Sequence, residues 1–472
     1  MAERLDPGGP PVPLPAWRVR EALGEPLVPG DAGSFAGVAI DSRALRRGCL
    51  FVALRGERHD GNDFVAEAAR SGAAGVVSAG EPSPDHPRGF AWWRVPDGAA
   101  ALRRLAVVHR AALPARVVCV TGSNGKTGTK ELAAEVLAQA YPVARTRGNL
   151  NSLIGLPLSL LELSEEHVWG VFEIGTSRVG EIAQLAAMAR PDVGVITNVG
   201  PSHLEGLSSL EGVVREKTDL AAALGREGTL VFGGDGELLR AAVGAFSCAR
   251  VSFGLERHND VHPERWELDA QGRPVFDVAG LGEVRLRLVG LTSLLNALAA
   301  VAVGRVAGVT PAGIRRGLET AEPLPLRLEV LREAGVTIIQ DCYNADPDSM
   351  RRGLETLRAL GSGPRVAVLG GMRELGGQTE TLHYDVGREI GRQPLDLLLV
   401  YGEEAMALAR GYQSATDAPV YFFRDYAALA RFLHERIAAP ATVLFKASRG
   451  VALENVAREY LVELRGRPRD VG

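Results

Sequence analysis

Short apolar runs alternate with helical patterns along nearly the whole chain. The runs are bounded by glycine, proline or polar residues, and they read RVVCVTG, GVFEIGT, DVGVITNVG, TIIQDCY, RVAVLGG, DLLLVYG and TVLFKAS. Segments such as TKELAAEVLAQA, GEIAQLAAMA and LLNALAAVAVGRVAG have helical patterns. Strands joined through helices return to their sheet in parallel, and their residues are apolar on both faces. We therefore predict an α/β protein with parallel sheets built from βαβ units.

The chain has 472 residues, which exceeds the size of one ordinary core. The alternation is interrupted at AALPAR, residues 111–116, and at the proline-rich AEPLPLRLE, residues 321–329. These breaks predict three domains, at residues 1–113, 114–322 and 323–472.

Composition and charge exclude several classes of protein. Hydrophobic residues make up 46% and charged residues 23%, and 53 basic against 57 acidic residues give a net charge of −4. We therefore expect no nucleic-acid partner and no attraction to an anionic membrane. The start, MAERLDPGGPPVPLPAW, does not resemble a signal peptide, and the four cysteines lack CxxC spacing. We expect a cytoplasmic protein.

The segment VTGSNGKTGTKE, residues 120–131, follows one of the predicted strands and opens a helix. Its glycines allow backbone N–H groups to surround an anion, and the helix amino end adds positive potential. Lys126 could reach the β- and γ-phosphates of a nucleotide, and Thr127 could offer its hydroxyl to Mg²⁺. The usual pattern has a further glycine where this chain has Val120, so the loop is a shortened variant. A glycine-rich turn that binds nothing is the alternative.

Three more polar residues follow this loop near predicted strand ends. Glu173 ends GVFE, His203 follows the next strand pattern, and Lys217 lies on a helix just beyond. Each could be an ordinary surface residue. Ligands of α/β sheets bind at the carboxyl ends of the strands, so together these residues predict one shared site with the loop.

Longer segments carry a resemblance to a known family. TGSNGKTGTKE, TRGNLNSLIGLPLSLL, FEIGTSRVGEIAQL, PDVGVITNVGPSHLEG and EKTDL resemble the central ATPase domain of the Mur ligases of peptidoglycan synthesis. DSRALRRGCLFVALRGERHDGNDFVAEAARSGA resembles the uridine-nucleotide-binding domain, and QDCYNADPDSM, ELGGQTETLHYDVG and VLFKASRGVALENV resemble the C-terminal domain. The resemblance implies an N-terminal UDP-binding α/β domain, a central P-loop parallel-sheet domain, and a C-terminal Rossmann-like domain that binds the incoming amine and closes over ATP.

The resemblance also implies an activity. YNADPDSM and GNLNSLIGLPLSLL are similar to the branch that adds D-Ala-D-Ala to UDP-N-acetylmuramoyl-tripeptide, whereas the DNPR motif of the diaminopimelate-adding branch is absent. ATP would phosphorylate the tripeptide carboxylate, and the dipeptide amine would displace phosphate. The implied cofactors are ATP and Mg²⁺ with a carbamylated lysine. We expect a monomer that acts in cell-wall formation, and thereby in cell shape and division.

Roles transfer by resemblance to matching positions. Residues matching the nucleotide contacts are Gly122, Ser123, Asn124, Gly125, Lys126, Thr127, Asn296, Arg327 and Asp341. Residues matching the magnesium ligands are Thr127, Glu173, His203 and Lys217, the last as a carbamate. The catalytic set would be formed by Lys126, Glu173, His203 and Lys217. Residues matching substrate contacts are Ser42 and Arg43 for the uridine nucleotide, Asn149 and Asn151 on the acyl-acceptor side, Asn344 and Asp346 for the dipeptide, and Lys446 and Ser448 in the last motif.

The chain departs from the family pattern at several positions. Gly128 replaces a common third threonine, Thr292-Ser293 replace a His-Asn pair, Asp346 replaces a common asparagine, Gly371 replaces an acidic residue, and VFGGDGE lacks an asparagine. These departures concern adenine and dipeptide contacts. Two alternatives remain: a related ligase that adds another amino acid or a polyglutamate tail, and a nucleotide-binding protein without turnover.

Overall fold

The computed structural model describes residues 12–82, 86–361 and 363–466. Residues 1–11 of the proline-rich start lie outside the described residues. The chain divides into two compact units that alternate along the sequence. The first unit comprises Met1–Val120, Tyr141–Gly175 and Glu181–Val193, and the second comprises Thr121–Ala140, Thr176–Gly180 and Gly194–Gly472.

The amino-terminal part of the first unit contains a small parallel sheet. Its elements are β1 (Leu14–Pro15), α1 (Ala16–Leu23), β2 (Ser34–Phe35), β3 (Val38–Ala39), β4 (Leu50–Val52), α2 (Val65–Arg70), β5 (Gly75–Ser78), β6 (Ala91–Arg94) and α3 (Gly98–Ala111). Strands β3, β4, β5 and β6 pair in that order and in parallel, whereas β1 and β2 form an antiparallel pair. Phe51, Val76 and Trp92 lie in the core of this region.

The middle of the chain contributes to both units. Its elements are β7 (Arg116–Thr121), α4 (Lys126–Ala138), β8 (Val143–Arg145), α5 (Gly155–Leu160), β9 (Trp169–Glu173), α6 (Glu181–Ala189), β10 (Val193–Ile196), α7 (Leu204–Leu207), α8 (Leu210–Leu224), β11 (Thr229–Gly233), α9 (Glu237–Val243), β12 (Ala249–Phe253), β13 (Pro263–Leu268), β14 (Pro274–Val278), β15 (Gly282–Arg285), α10 (Gly290–Val306) and α11 (Pro311–Thr320). In the first unit, β9 pairs in parallel with both β8 and β7. In the second, β11 lies between β10 and β12. Strands β13, β14 and β15 form an antiparallel sheet that the sequence analysis did not predict.

The carboxyl-terminal part of the second unit is a six-stranded sheet with helices on both faces. Its elements are β16 (Glu329–Glu333), β17 (Val336–Asp341), α12 (Pro347–Leu360), β18 (Arg365–Leu369), α13 (Thr379–Gly391), β19 (Leu397–Tyr401), α14 (Met406–Gln413), β20 (Val420–Phe423), α15 (Tyr426–Arg436), β21 (Ala441–Lys446) and α16 (Glu454–Gly466). The strand order is β16-β17-β21-β18-β19-β20, in which only the edge strand β16 is antiparallel. Separate clusters of buried apolar residues cover the two faces.

The predicted class, α/β with parallel sheets, is confirmed by these sheets. Each of the seven apolar runs overlaps one of the strands, and each of the three helical patterns overlaps a helix. The breaks at residues 111–116 and 321–329 coincide with the α3–β7 and α11–β16 connections. The three exact domain boundaries stay predictions, because the two compact units divide the chain in another way.

Over the described residues, the structure contains no helix that is both long enough and apolar enough to cross a membrane.

Candidate active site

The predicted phosphate loop joins the end of β7 to the start of α4. Gly125 precedes the helix with a left-handed φ of 81°, which favours glycine. Lys126 is the first helical residue, and its Nζ donates hydrogen bonds to the carbonyl oxygens of Gly122 and Ser123 at 2.7 and 3.1 Å. The lysine amine therefore lies over the loop at the amino end of a helix, where the helix dipole favours an anion.

A neighbouring loop holds part of this segment through Asn198. The N–H groups of Ser123 and Asn124 donate to the main-chain and side-chain oxygens of Asn198, both at 3.0 Å. Two of the backbone donors expected to face a phosphate are thus bonded within the protein. The groups that could still contact an anion are Lys126, Thr127 and the amino end of α4.

Asn296 on α10 packs against the first turn of α4. Its Oδ1 accepts a hydrogen bond from Thr129 Oγ1 at 3.1 Å. A Cβ added at Gly128 would lie 2.3 Å from Asn296 Nδ2, which is closer than non-bonded atoms approach. The close approach of Asn296 therefore leaves little space for a side chain at position 128.

A cavity of 430 Å³ lies beside the phosphate loop within the second unit. Its wall includes Asn124 and Gly125 of the loop, Thr292 and Asn296 of α10, and Phe253 at the end of β12. Its charged wall is formed by Asp235, Asp348, Arg351, Arg352 and Glu355. The mixture of apolar and polar groups and the volume suit a small-molecule ligand. Thr292, the first residue of the Thr292-Ser293 pair noted above, lines this cavity.

Lys217 lies on α8 and is only 1% exposed. Burial, reinforced by the positive charge of Lys126, holds the pKa of Lys217 well below its ordinary value, although Glu216 and Asp346 act in the opposite direction. Glu216 is also buried and accepts hydrogen bonds from Thr176 Oγ1 at 3.0 Å and from the N–H of Gly180 at 2.6 Å. Glu216 was not identified from the sequence, although it adjoins Lys217 in EKTDL.

His203 precedes α7 with a left-handed φ of 53°. Its Nδ1 is in close contact with the carboxylate of Glu374, and this interaction with His203 lowers the pKa of Glu374. The contact lacks the direction of a hydrogen bond, and within the described residues His203 Nδ1 has no hydrogen-bond partner. Glu374 was not identified from the sequence, because nothing local indicates that residues this far apart meet.

Three predicted residues of the carboxyl-terminal part lie together at strand ends. Asp341 and Lys446 are register partners at the ends of β17 and β21. Lys446 Nζ donates to Asp341 Oδ2 at 2.6 Å and to the carbonyl oxygen of Asn344 at 3.1 Å. Ser448 follows β21 and donates its hydroxyl proton to the carbonyl oxygen of Ala345 at 3.3 Å.

Asp346 is buried at the amino end of α12, next to the phosphate loop. Its Oδ1 accepts from the N–H of Ser349 at 3.0 Å, as a helix cap does, and from Asn124 Nδ2 at 3.1 Å. Its Oδ2 is buried and has no hydrogen-bond partner within the described ranges. A buried carboxylate oxygen without a donor is costly, so this side chain is suited to a cation or an N–H donor.

Arg327 lies apart from the loop cavity, on the wall of a second cavity of 190 Å³. Its guanidinium lies over the ring of Tyr343, with 3.7 Å between the guanidinium carbon and the ring centroid. The side chain of Arg327, a predicted nucleotide contact, thus stacks on Tyr343, which immediately precedes Asn344.

The first unit contains the remaining predicted residues. Glu173 ends β9 and is buried, and its Oε1 accepts from Asn151 Nδ2 at 2.7 Å. The carbonyl oxygen of Asn149 accepts from the N–H of Asn151 at 2.7 Å. These three predicted residues therefore lie together.

The predicted uridine contacts lie elsewhere in the first unit. Ser42 and Arg43 belong to a short 3-10 turn that Asp41 caps. The exposed Arg43 guanidinium donates to both carboxylate oxygens of Asp41, at 2.9 and 2.7 Å.

No arrangement of three or more His, Cys, Asp or Glu side chains that could hold a metal occurs within residues 12–82, 86–361 and 363–466. The predicted metal ligands instead include a threonine hydroxyl and a modified lysine.

Three family models together match most of the chain. The Mur ligase family catalytic domain matches residues 34–154, the Mur ligase middle domain matches residues 120–304, and the Mur ligase glutamate ligase domain matches residues 326–449.

Relatives match over nearly the full length of both chains. The UDP-N-acetylmuramoyl-tripeptide–D-alanyl-D-alanine ligase of Bacillus subtilis is 36% identical over 90% of this chain and 93% of its own. The ligase of the same name from Escherichia coli is 34% identical over 89% of this chain and 92% of its own.

Solved structures agree with these sequence comparisons. A crystal structure of MurF from Acinetobacter baumannii matches with a TM-score of 0.86 and 30% identity, and covers 96% of this chain and 100% of its own. MurF of Thermotoga maritima, solved in complex with ADP, matches with a TM-score of 0.81 and 30% identity, over 92% of this chain and 98% of its own. The expected three-domain α/β architecture is confirmed, and the chain belongs to the Mur ligase family.

Proposed function

We propose that the chain is an ADP-forming ligase that uses ATP to join D-Ala-D-Ala to UDP-N-acetylmuramoyl-tripeptide. The observation that carries this proposal is the 36% identity, over 90% of this chain, to the Bacillus subtilis ligase of that activity. We propose that the enzyme acts as a monomer in the cytoplasm, in peptidoglycan precursor synthesis, and through it in cell shape and division.

The proposed reaction has two steps. A carboxylate reacts poorly with an amine because its leaving group would be an oxide. A carboxylate oxygen of the tripeptide therefore attacks the γ-phosphorus of ATP, ADP leaves, and an acyl phosphate forms. The amine nitrogen of D-Ala-D-Ala then attacks the carbonyl carbon, phosphate leaves with the bonding electrons, and the nitrogen loses a proton.

The nucleotide would bind at the phosphate loop and the 430 Å³ cavity. Lys126 would turn from the carbonyl oxygens of the loop to the β- and γ-phosphates, whose charge it offsets. The cavity beside the loop would take the nucleoside, with Asn296 on its adenine side. Arg327 and Asp341 would contact phosphate and ribose. Backbone groups of Gly122, Gly125 and Thr127 complete the proposed set, and the N–H groups of Ser123 and Asn124 would join it on release from Asn198.

Substrate contacts are proposed on both units. Ser42 and Arg43 would hold the uridine nucleotide, and Asn149 with Asn151 would lie on the acyl-acceptor side. Asn344, Asp346, Lys446 and Ser448 would form the dipeptide side. The hydrogen bonds that join Lys446 to Asn344, and Ser448 to Ala345, support a common location for the last group.

Magnesium would be held by Thr127, Glu173, His203 and a carbamylated Lys217. Hydroxyl, carboxylate and carbamate oxygens are the hard ligands that Mg²⁺ prefers. Within the described ranges, the buried Oδ2 of Asp346 beside the loop has no hydrogen-bond partner. This oxygen supports the fit of a cation. When bound, Mg²⁺ would neutralise charge on the transferred phosphoryl group.

Carbamylation of Lys217 is proposed on the basis of its burial. An ammonium at 1% exposure that also faces Lys126 is electrostatically unfavourable. A neutral Nζ can form a bond to the carbon of CO₂ and lose a proton, which converts the side chain into an anion with two oxygens. The anion would be attracted to Lys126 instead of being repelled.

We also propose the domain boundaries 1–113, 114–322 and 323–472. Family-model matches that end at residue 304 and resume at residue 326 support the second boundary.

The experiment is mass spectrometry of products formed from UDP-N-acetylmuramoyl-tripeptide, ATP and D-Ala-D-Ala. The expected product is the pentapeptide, formed with one ADP per amide bond. Parallel reactions with single amino acids and with glutamate test for a ligase of other amine specificity. Background ATP turnover with every amine offered would reject a ligase in favour of a non-catalytic nucleotide-binding protein.

A further inference from the structure

His383 is a fully buried histidine on α13 that the proposed reaction does not use. Its Nδ1 lies 2.7 Å from the carbonyl oxygen of Thr379, and its Nε2 lies 2.9 Å from the backbone nitrogen of Met372. A carbonyl can only accept, so Nδ1 carries the ring proton and Nε2 accepts from the N–H of Met372. An imidazolium, which has two N–H groups, could not keep the second bond.

The bond to Met372 fixes a loop at residues 371–378, which precedes α13. Ser448 holds the same loop, because its hydroxyl accepts from the N–H of Arg373 at 2.9 Å and its own N–H donates to the carbonyl oxygen of Gly371 at 3.1 Å. The loop is thus attached at consecutive residues to α13 and to the segment after β21.

The fixed loop presents Glu374 to the phosphate-loop region. Glu374 has a left-handed φ of 64°, its carbonyl oxygen accepts from the N–H of Glu205 at 3.2 Å, and its carboxylate contacts His203. Left-handed backbone is strained for a residue other than glycine, so it persists only where the surroundings enforce it. His203, on the other side of the contact, is also left-handed.

We propose that His383 is a positioning residue of the ligase: by accepting the Met372 N–H, it holds the 371–378 loop so that Glu374 lies against His203. This inference rests on the proposed function, since His203 belongs to the proposed catalytic set. His383 touches no reacting group in this arrangement and acts only through the loop. Its required feature is a neutral acceptor at the position of Nε2.

Three substitutions separate this role from simple packing. His383→Gln places an amide oxygen near the former Nε2 and can keep the bond to Met372. His383→Asn reaches only the former Nδ1 position and loses that bond, and His383→Leu loses both bonds. His434→Gln, at a half-exposed histidine paired with Glu463, is the matched control.

Amide hydrogen exchange and steady-state kinetics would be measured on each full-length variant. We expect His383→Gln to keep protection of the Met372 amide and a kcat close to wild type. We expect His383→Asn and His383→Leu to lose that protection, with strand β18 still protected, and to lower kcat about tenfold while KM for ATP changes little. The control should match wild type in both measurements.

Equal behaviour of the Gln and Asn variants, or an unprotected Met372 amide in the wild type, would overturn the proposal. A fall in kcat that only follows thermal stability across the three variants would also overturn it. Exchange needs no turnover, so it tests the loop even if the wild type proves inactive in the ligase assay. Inactive wild type with the expected exchange pattern would reject the proposed function and leave the loop-holding bond established.

Discussion

At the scale of single residues, the environment of two lysines is the clearest guide to chemistry. Lys126 lies on the phosphate loop, and its positive charge contributes to the lowered pKa of the buried Lys217. The two side chains therefore interact electrostatically, and each is open to a direct test.

We expect Lys126→Ala to fold normally and to lose ATP use. The Lys126 amine donates to two carbonyl oxygens of its own loop, so we expect its removal to leave the fold intact, whereas phosphate charge would lose its counter-ion. ATP-dependent product formation and thermal unfolding of the purified variant provide the measurements. A kcat equal to wild type would reject the assignment of the phosphate loop.

We expect Lys217→Ala to be folded and nearly inactive, with partial recovery in acetate. A small carboxylate can enter the vacated space and supply the oxygens that a carbamate would have supplied. Arg215→Ala, an exposed cation on the same helix, is the control and should keep full activity. Wild-type activity of Lys217→Ala, or an unmodified ammonium in a high-resolution map with ATP bound, would contradict carbamylation.

At the scale of elements, α4 and α10 are fitted to each other at Gly128 and Asn296. Replacing glycine by alanine inside a helix usually stabilises it by about 1 kcal/mol. Here we expect Gly128→Ala to destabilise by about 1–3 kcal/mol, because the new Cβ would overlap Asn296 Nδ2 and displace it from Thr129. Denaturant unfolding of both proteins shows whether the substitution lowers or raises the free energy of unfolding.

The double variant Gly128→Ala with Asn296→Ala is the control for this effect. Removing the asparagine side chain removes the overlap, so alanine at position 128 should then be neutral or stabilising. Destabilisation of equal size in both backgrounds would show that the close approach of Asn296 is not the cause.

His383, which joins α13 to the 371–378 loop, predicts that the stability of the fold depends on pH. Burial lowers the pKa of His383 from its ordinary 6.5, while Glu404, which is paired with Arg373, acts in the opposite direction. As pH falls below about 6.5, His383 takes up a proton in the unfolded chain but stays neutral in the folded chain. The stability that neutral His383 contributes to the fold is therefore present above this pH and is lost below it.

We therefore expect wild type to lose stability relative to His383→Gln as pH is lowered from 7.5 to 5.5. The difference should change by at most about 1.4 kcal/mol per pH unit. Unfolding curves of both proteins across this range give the measurement. Parallel pH profiles would show that His383 does not titrate differently in the folded chain.

At the scale of the whole molecule, the proposed site draws on distant parts of the chain. Arg327 and Asp341 belong to the third predicted domain, whereas the phosphate loop belongs to the second. Within the second unit, Asn124 bonds Asp346, and His203 contacts Glu374, so parts of both predicted domains already meet. Ligand binding between such parts is commonly accompanied by hinge closure.

We expect small-angle scattering to report a smaller radius of gyration when a non-hydrolysable ATP analogue and UDP-substrate are added together. The bound phosphates would attract Arg327 away from its stacked position on Tyr343. Each ligand added alone serves as the control. Identical scattering curves with and without both ligands would contradict closure.

The sequence by itself determined the repeating strand–helix architecture and the glycine-containing turn between β7 and α4. Both depend on local pattern: apolar runs of strand length, helical periodicity, and Gly125-Lys126 at the start of a helix. The segments around Glu173, His203 and Lys217 were also recognisable, because their resemblance to the family lies within short stretches.

The tertiary structure alone decided which distant residues meet. The contacts of Glu374 with His203, of Asn296 with Gly128, and of Glu216 with Thr176 each join residues well separated along the chain. No local periodicity encodes such pairs, since packing of whole elements brings them together. The antiparallel β13-β14-β15 sheet was missed for the related reason that its outer strands, β13 and β15, are largely exposed and lack a continuous apolar run.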